Sequence, residues 1–201
     1  MQLILVRHGK PETGANSTPA DPPLTALGKE QAALAGAFLA TGEISAIAHS
    51  GMARAQGTAQ PLIERTGIEP MVIANLGEVD RYGVDYANAE TIRARGEPDW
   101  RRFLADPLGY FGIDGDRFRS ETLDGFAQIL AQPGVETVAV FTHGFPINIL
   151  LTHALKIDGV GRFMPDYGSI TRIAGSSLDR LAVLSINETA HLTHEIGGAR
   201  A

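Results

Sequence analysis

Apolar residues alternate along the chain between two spacings. Short β-rich runs at residues 2–7, 44–49, 70–74, 135–142, 168–174 and 180–186 read as strands, bounded by Gly, Pro, Asn or Ser. Between them lie stretches with helical spacing, at residues 24–40, 51–66, 89–105, 120–132 and 145–156. In the first of these, Leu24, Leu27, Leu34 and Phe38 recur at helical intervals and Ala is plentiful, and Thr25 stands where a cap is expected. Pro61 is expected to kink or interrupt the second helix. Gly175-Ser176-Ser177 separates the last two strands. Residues 80–118 are the least regular part and read as an insertion over the site rather than as a second domain.

Strands alternating with helices predict one domain over residues 1–201, a three-layer α/β/α sandwich with a mostly parallel central sheet and one edge strand running the other way. A chain of 201 residues is long enough for one substantial core. In such sheets ligands bind beyond the carboxyl ends of the strands, which directs attention to the positions immediately after residues 7, 49 and 142.

Composition narrows the chemistry. The net charge is −6, and the basic residues are scattered, with a loose arginine cluster between Arg81 and Arg119 that reads as a solvated face; no basic run suits nucleic acid. No cysteine is present, which removes disulfides, thiolate catalysis and Cys-ligated metals. The opening apolar run, Leu3 to Val6, is four residues long, far short of a signal peptide or membrane span. The chain is therefore read as soluble and cytoplasmic, with no membrane partner; its oligomeric state is not legible.

Three segments fall at the ends of expected strands: Arg7-His8-Gly9, Ser50 to Ala55 with Thr58-Ala59 behind it, and Thr142-His143-Gly144. A neutral imidazole with one free nitrogen can attack phosphorus. Arginine offers a planar fork that matches two phosphate oxygens, and a second histidine can donate to another. Such a clamp suits the charge on the equatorial oxygens in phosphoryl transfer, and a carboxylic acid nearby can protonate the leaving alcohol. Each segment alone has a plainer reading, respectively a structural histidine, a helix-surface charge and an ordinary turn; the combination is what points to phosphate chemistry.

The ordered set resembles the histidine phosphatase superfamily, also called the phosphoglycerate mutase-like family, from Leu3 to about Ile173. Leu5-Val6-Arg7-His8-Gly9 resembles its opening signature, Asp21 to Ala32 its first-helix motif, Ser50 to Ala59 the segment of the second clamp arginine, and Leu76-Gly77-Glu78 that of the acid. Phe141 to Gly144 resembles the second histidine motif, and Tyr167 to Arg172 a late strand. The resemblance implies a phosphomonoesterase that works through a phosphohistidine on His8, with Arg7, Arg54 and His143 holding the phosphoryl oxygens and Glu78 as proton donor and then base. It implies no metal and no cofactor, and a small phosphate ester as partner. Asp80 is the alternative acid, because Tyr82-Gly83 sits about one residue later than the aromatic-Gly pair that usually follows the acid.

Several residues bear on the reaction type. Gly14 stands where mutases commonly carry Asn, Asn148 replaces an Arg that often follows the second His-Gly, Phe145 and Pro146 make that turn more apolar, and residues 80–118 form a shorter segment than in glycolytic mutases. These favour a phosphatase; a phosphoglycerate mutase is the runner-up, and a non-catalytic phospho-ligand binding module the third reading. Trp100-Arg101-Arg102-Phe103 resembles a mutase stretch whose arginines contact a substrate carboxylate, although by itself it reads as a solvated helix surface. His49 is expected at the site rim and His153 in packing. Lys10 and Glu12 read as a surface turn, and His191 to Glu195 as surface rather than metal ligands.

Overall fold

The computed structural model describes residues 1–13 and 21–192. The strands are β1 (Gln2–Arg7), β2 (Ala46–His49), β3 (Met71–Val72), β4 (Thr137–Thr142), β5 (Ile170–Gly175) and β6 (Leu181–Glu188). The helices are α1 (Ala26–Leu39), α2 (Ala53–Thr66), α3 (Ala89–Ala94), α4 (Glu97–Ala105), α5 (Pro107–Tyr110), α6 (Gly115–Leu130) and α7 (Gly144–Leu155). Short 3₁₀ turns cover Ala74–Leu76, Val79–Tyr82 and Ala190–Leu192.

One sheet runs in the order β3-β2-β4-β1-β5-β6. β1 to β4 are mutually parallel, and β5 lies antiparallel to both β1 and β6. The reversed strand is thus one place in from the edge, not at it, because the tight turn at Gly175 folds β6 back alongside β5 and restores the original direction. Strands β1 and β4 are buried almost end to end, as parallel strands covered on both faces must be. Leu3, Leu5, Val138 and Val140 pack on one face with Phe126 and Ile129 of α6 and Ile147, Leu150 and Leu151 of α7. Ile4, Val6, Ala139 and Phe141 pack on the other with Ala35 and Leu39 of α1 and Ala59 and Leu62 of α2. These are the three layers.

Differences from the sequence reading are local. α1 is capped by Thr25 Oγ1, which accepts from Gly28 N at 3.0 Å, as expected. Its buried face is nevertheless mostly small residues, Gly28, Ala32, Ala35 and Gly36 beside Gln31 and Leu39, while Leu27 and Phe38 are exposed. Small residues let the α1 and α2 backbones approach closely: a Cβ on Gly36 would lie 2.9 Å from Pro61 Cβ. Pro61 does not interrupt α2, which runs through it from Ala53 to Thr66. The single helix expected over 89–105 is two, broken at Gly96, whose φ of +109° no helix accommodates. No described helix is long and apolar enough to cross a membrane.

Candidate active site

Parallel pairing of β1 with β4 sets Arg7 opposite Thr142, so the residues after each strand emerge side by side. The chain leaves β1 toward the α1 face and leaves β4 toward the α7 face, which opens a crevice between the two carboxyl ends. His8 and His143 stand there, with ring centroids 5.0 Å apart.

Close backbone contacts fix His8. Its own N–H donates to Thr142 O at 3.0 Å, and Gly168 N donates back to the Arg7 and His8 carbonyls. Gly9 must be glycine for proximity: a Cβ there would sit 2.2 Å from Gly28 O, and one on Gly28 equally close to Lys10 O. Thr58 of α2 ties the same turn down, accepting from Gly9 N at 2.9 Å. The His8 ring places Nδ1 2.8 Å from Gly9 O. A carbonyl only accepts, so Nδ1 carries the hydrogen and Nε2 keeps a free lone pair. Burial, then the Arg54 and Arg7 guanidinium groups, hold the His8 pKa well below 6.5, so the ring is neutral.

The two arginines are held differently. Arg54 is fully buried; Nη2 donates to Asp80 Oδ1 at 2.8 Å, and Nη1 lies 3.4 Å from Asp21 Oδ1. Its guanidinium carbon sits 4.7 Å from the centroid of the Tyr86 ring. Arg7 donates from Nη1 to Pro165 O and lies 4.0 Å over Tyr167. In both arginines Nε is buried without a protein partner, leaving a donor for a ligand oxygen. His143 is buried and neutral, its pKa well below 6.5 through burial and the neighbouring Arg54 and His8. Its Nε2 lies 2.8 Å from Ser50 Oγ and its Nδ1 has no protein partner. Ser50 Oγ already accepts from Met52 N at 3.3 Å; giving its own hydrogen to Nε2 leaves Nδ1 as a third unspent donor.

Glu78 lines the same cleft as Arg7 and His8. Oε1 accepts from Val79 N and Oε2 from Phe145 N, each at 3.1 Å. Burial pushes its carboxyl up to about 7, against the pull of Phe145 N–H. Asp80, the alternative, faces away into the ion pair with Arg54. The two carboxylates therefore divide: one is spent on an arginine, and the other is open to the cleft near neutrality.

The remaining residues singled out in the sequence fall outside this cluster. Arg101 and Arg102 are exposed, pairing with Glu97 at 2.7 Å and Asp99 at 3.5 Å, and neither lines the cleft. His49 is buried and not at the rim; its Nδ1 accepts from Gly51 N and shapes the turn around Ser50. His153 lies 3.1 Å from Leu178 O. His191 lies 2.9 Å from Gly168 O and stacks on Phe38, whereas His194 and Glu195, like Gly14, lie outside the described residues. Asn148 lines the cleft but is bound internally, donating to Gly144 O and Phe163 O and accepting from Phe163 N. Tyr86, Asn88 and Tyr167 received no role from the sequence. Asn88 donates to Tyr167 Oη at 3.0 Å, and together they roof the arginine clamp. Only the Tyr167-Gly168-Ser169 segment carried a signal, as part of the late-strand motif.

Probable phosphoglycerate mutase GpmB of Citrobacter koseri is 27% identical over 164 residues, covering 78% of this chain and 76% of that protein. Among solved structures, a putative alpha-ribazole-5'-P phosphatase from Escherichia coli superposes with a TM-score of 0.74 at 20% identity, covering 94% of this chain and 97% of that one. A phosphoserine phosphatase variant from Entamoeba histolytica, in complex with phosphoserine, gives 0.75 at 22%, covering 95% and 98%. At these identities the structural likeness speaks for the fold alone. The family model for the histidine phosphatase superfamily (branch 1) matches residues 3–189, and the chain belongs to that superfamily.

Proposed function

We propose that the protein is a metal-independent phosphomonoesterase that passes the phosphoryl group through His8. The observation that carries this reading is the state of His8: neutral, with Nδ1 tied to Gly9 O and Nε2 free, in a cleft shared with Arg7 and a carboxyl near pKa 7. Nε2 attacks phosphorus, the P–O bond to the alcohol breaks, and protonated Glu78 gives its hydrogen to the departing oxygen. Water then attacks the phosphohistidine and loses its proton to Glu78, which frees phosphate and restores His8. Arg7, Arg54 and the Nδ1–H of His143 supply donors to the equatorial oxygens, where charge is greatest in the transition state. The cysteine-free chain is compatible with a cytoplasmic setting.

A phosphoglycerate mutase is the second reading, favoured by the names of the sequence relatives. The exposed, ion-paired state of Arg101 and Arg102 weighs against it, because these are the residues the sequence offers for a substrate carboxylate. The test is hydrolysis of p-nitrophenyl phosphate in excess EDTA by wild type and His8→Ala. Activity that survives EDTA and vanishes in the variant is the expected result. Loss of activity in EDTA, or activity that persists in His8→Ala, overturns the proposal. Turnover only with a bisphosphoglycerate primer returns the mutase.

A further inference from the structure

Beyond His8 and Glu78 the cleft becomes an apolar chamber. Phe103 of α4, Phe111, Phe145 at the start of α7, and Phe163 line it, with Leu104 and Met164 at the rim. Phe103, Phe111 and Phe145 form a mutual ring cluster with centroids 6.3–6.4 Å apart. The rim side chains are 55% and 59% exposed, so this apolar surface is presented to whatever enters. Of the polar side chains along it, the two asparagines are already committed, and the Tyr86 hydroxyl lies against Tyr167. Asn148 is bound to Gly144 and Phe163, while Asn88 accepts from Thr91 and donates to Tyr167. Arg7 is the one cation among the described lining residues, and it sits at the phosphoryl end.

We infer that the alcohol half of the ester is apolar: the substrate class is a phosphate monoester of an extended, uncharged hydrocarbon alcohol rather than a carboxylated or sugar alcohol. This rests on the phosphomonoesterase reading of the same site. The continuity of the chamber with Glu78 makes the leaving alcohol its occupant. The departing oxygen must lie beside the Glu78 carboxyl, and the carbon attached to it then has the phenylalanine cluster ahead of it. A carboxylate placed among the phenylalanines would lose its hydration with no cation beside it in exchange, and sugar hydroxyls would face aromatic rings rather than polar partners. Hydrocarbon gains with every group removed from water.

A series of straight-chain alkyl phosphates from ethyl to hexyl tests this. Their leaving groups are chemically alike, so differences in kcat/KM report binding in the chamber. The expected result is a rise of roughly three- to fourfold per methylene until the chamber is filled, with hexyl phosphate well above 3-phosphoglycerate. Leu104→Lys, a change at the exposed rim, flattens the series and raises 3-phosphoglycerate relative to hexyl phosphate. A series that is flat or falls with length, or a wild-type preference for 3-phosphoglycerate, overturns the inference while leaving hydrolysis through His8 intact. If wild type hydrolyses none of these esters nor p-nitrophenyl phosphate, the phosphomonoesterase reading fails, and this inference with it.

Discussion

Replacing Glu78 with Gln separates the chemistry of the carboxyl from its shape. Gln copies the protonated acid in size and neutrality but has no proton to give. Wild-type Glu78 is raised from 4.5 to about 7 because burial disfavours its charge. That rise is worth about 3 kcal/mol between its two protonation states. The folded protein holds the proton more tightly than the unfolded chain, so this contribution is fully present below pH 4.5 and is lost as pH climbs to about 7. At pH 8 the wild type folds around a half-buried anion and Glu78→Gln does not. Gln has one acceptor oxygen for the two backbone N–H groups that Glu78 holds, a cost present at either pH, so what the pKa sets is the change: relative to wild type the variant gains about 2–3 kcal/mol between pH 4.5 and pH 8, roughly 5–10 °C in Tm for a chain of this size. Catalysis moves the opposite way. For an alkyl phosphate, whose alkoxide needs a proton, the variant loses roughly 10²–10⁴-fold in kcat, whereas p-nitrophenyl phosphate, with its good leaving group, loses far less. Wild-type turnover of the alkyl ester correspondingly falls as pH rises through about 7. Thermal melts at the two pH values, beside kinetics on both esters, read all of this. An equal Tm difference at pH 4.5 and pH 8, or an equal kinetic loss on both esters, refutes the assignment.

Asp80→Asn acts through Arg54 rather than on the leaving group. Removing the anion from a fully buried guanidinium costs about 3 kcal/mol or more in stability, seen as a lower midpoint in urea, and raises KM for both esters by a similar factor. Ser50→Ala frees the His143 tautomer and removes two buried hydrogen bonds, to His143 Nε2 and from Met52 N: kcat drops roughly tenfold on either ester and stability falls by roughly 1–3 kcal/mol, read as a lower Tm. Gly28→Ala forces a methyl to within 2.2 Å of Lys10 O and pushes the His8 turn out of place, so soluble yield and Tm fall sharply; a stable, active variant would contradict the packing of α1 against that turn.

The histidines and arginines of the site were legible in the sequence because each comes just after a strand that announces itself. Val135 to Thr142 is β-branched and Leu3 to Val6 is apolar, and parallel pairing then brings their ends together without further information. The choice between Glu78 and Asp80 was not legible. They are two residues apart on a 3₁₀ turn, and only the position of Arg54 on α2 draws one of them inward. Tyr86 and Asn88 lie between short helices in a stretch with no period, and their importance comes from tertiary contact with Arg54 and Tyr167. The buried face of α1 misled for a different reason. Hydrophobic spacing marks large residues, but a helix that packs closely on its neighbour buries its small ones and leaves Leu27 and Phe38 outside. Arg101 and Arg102 read by themselves as a solvated helix surface, and they are one, paired with Glu97 and Asp99 on the same helix.

The central claim is the covalent step at His8. Mixing the protein with a radiolabelled phosphate monoester in EDTA, quenching within a turnover and mapping the label tests it most directly. Label on His8 that is labile in acid, stable in base, chased into phosphate by water and absent from His8→Ala is the predicted result. Hydrolysis with no labelled protein at any quench time, or the same label on His8→Ala, would contradict the account.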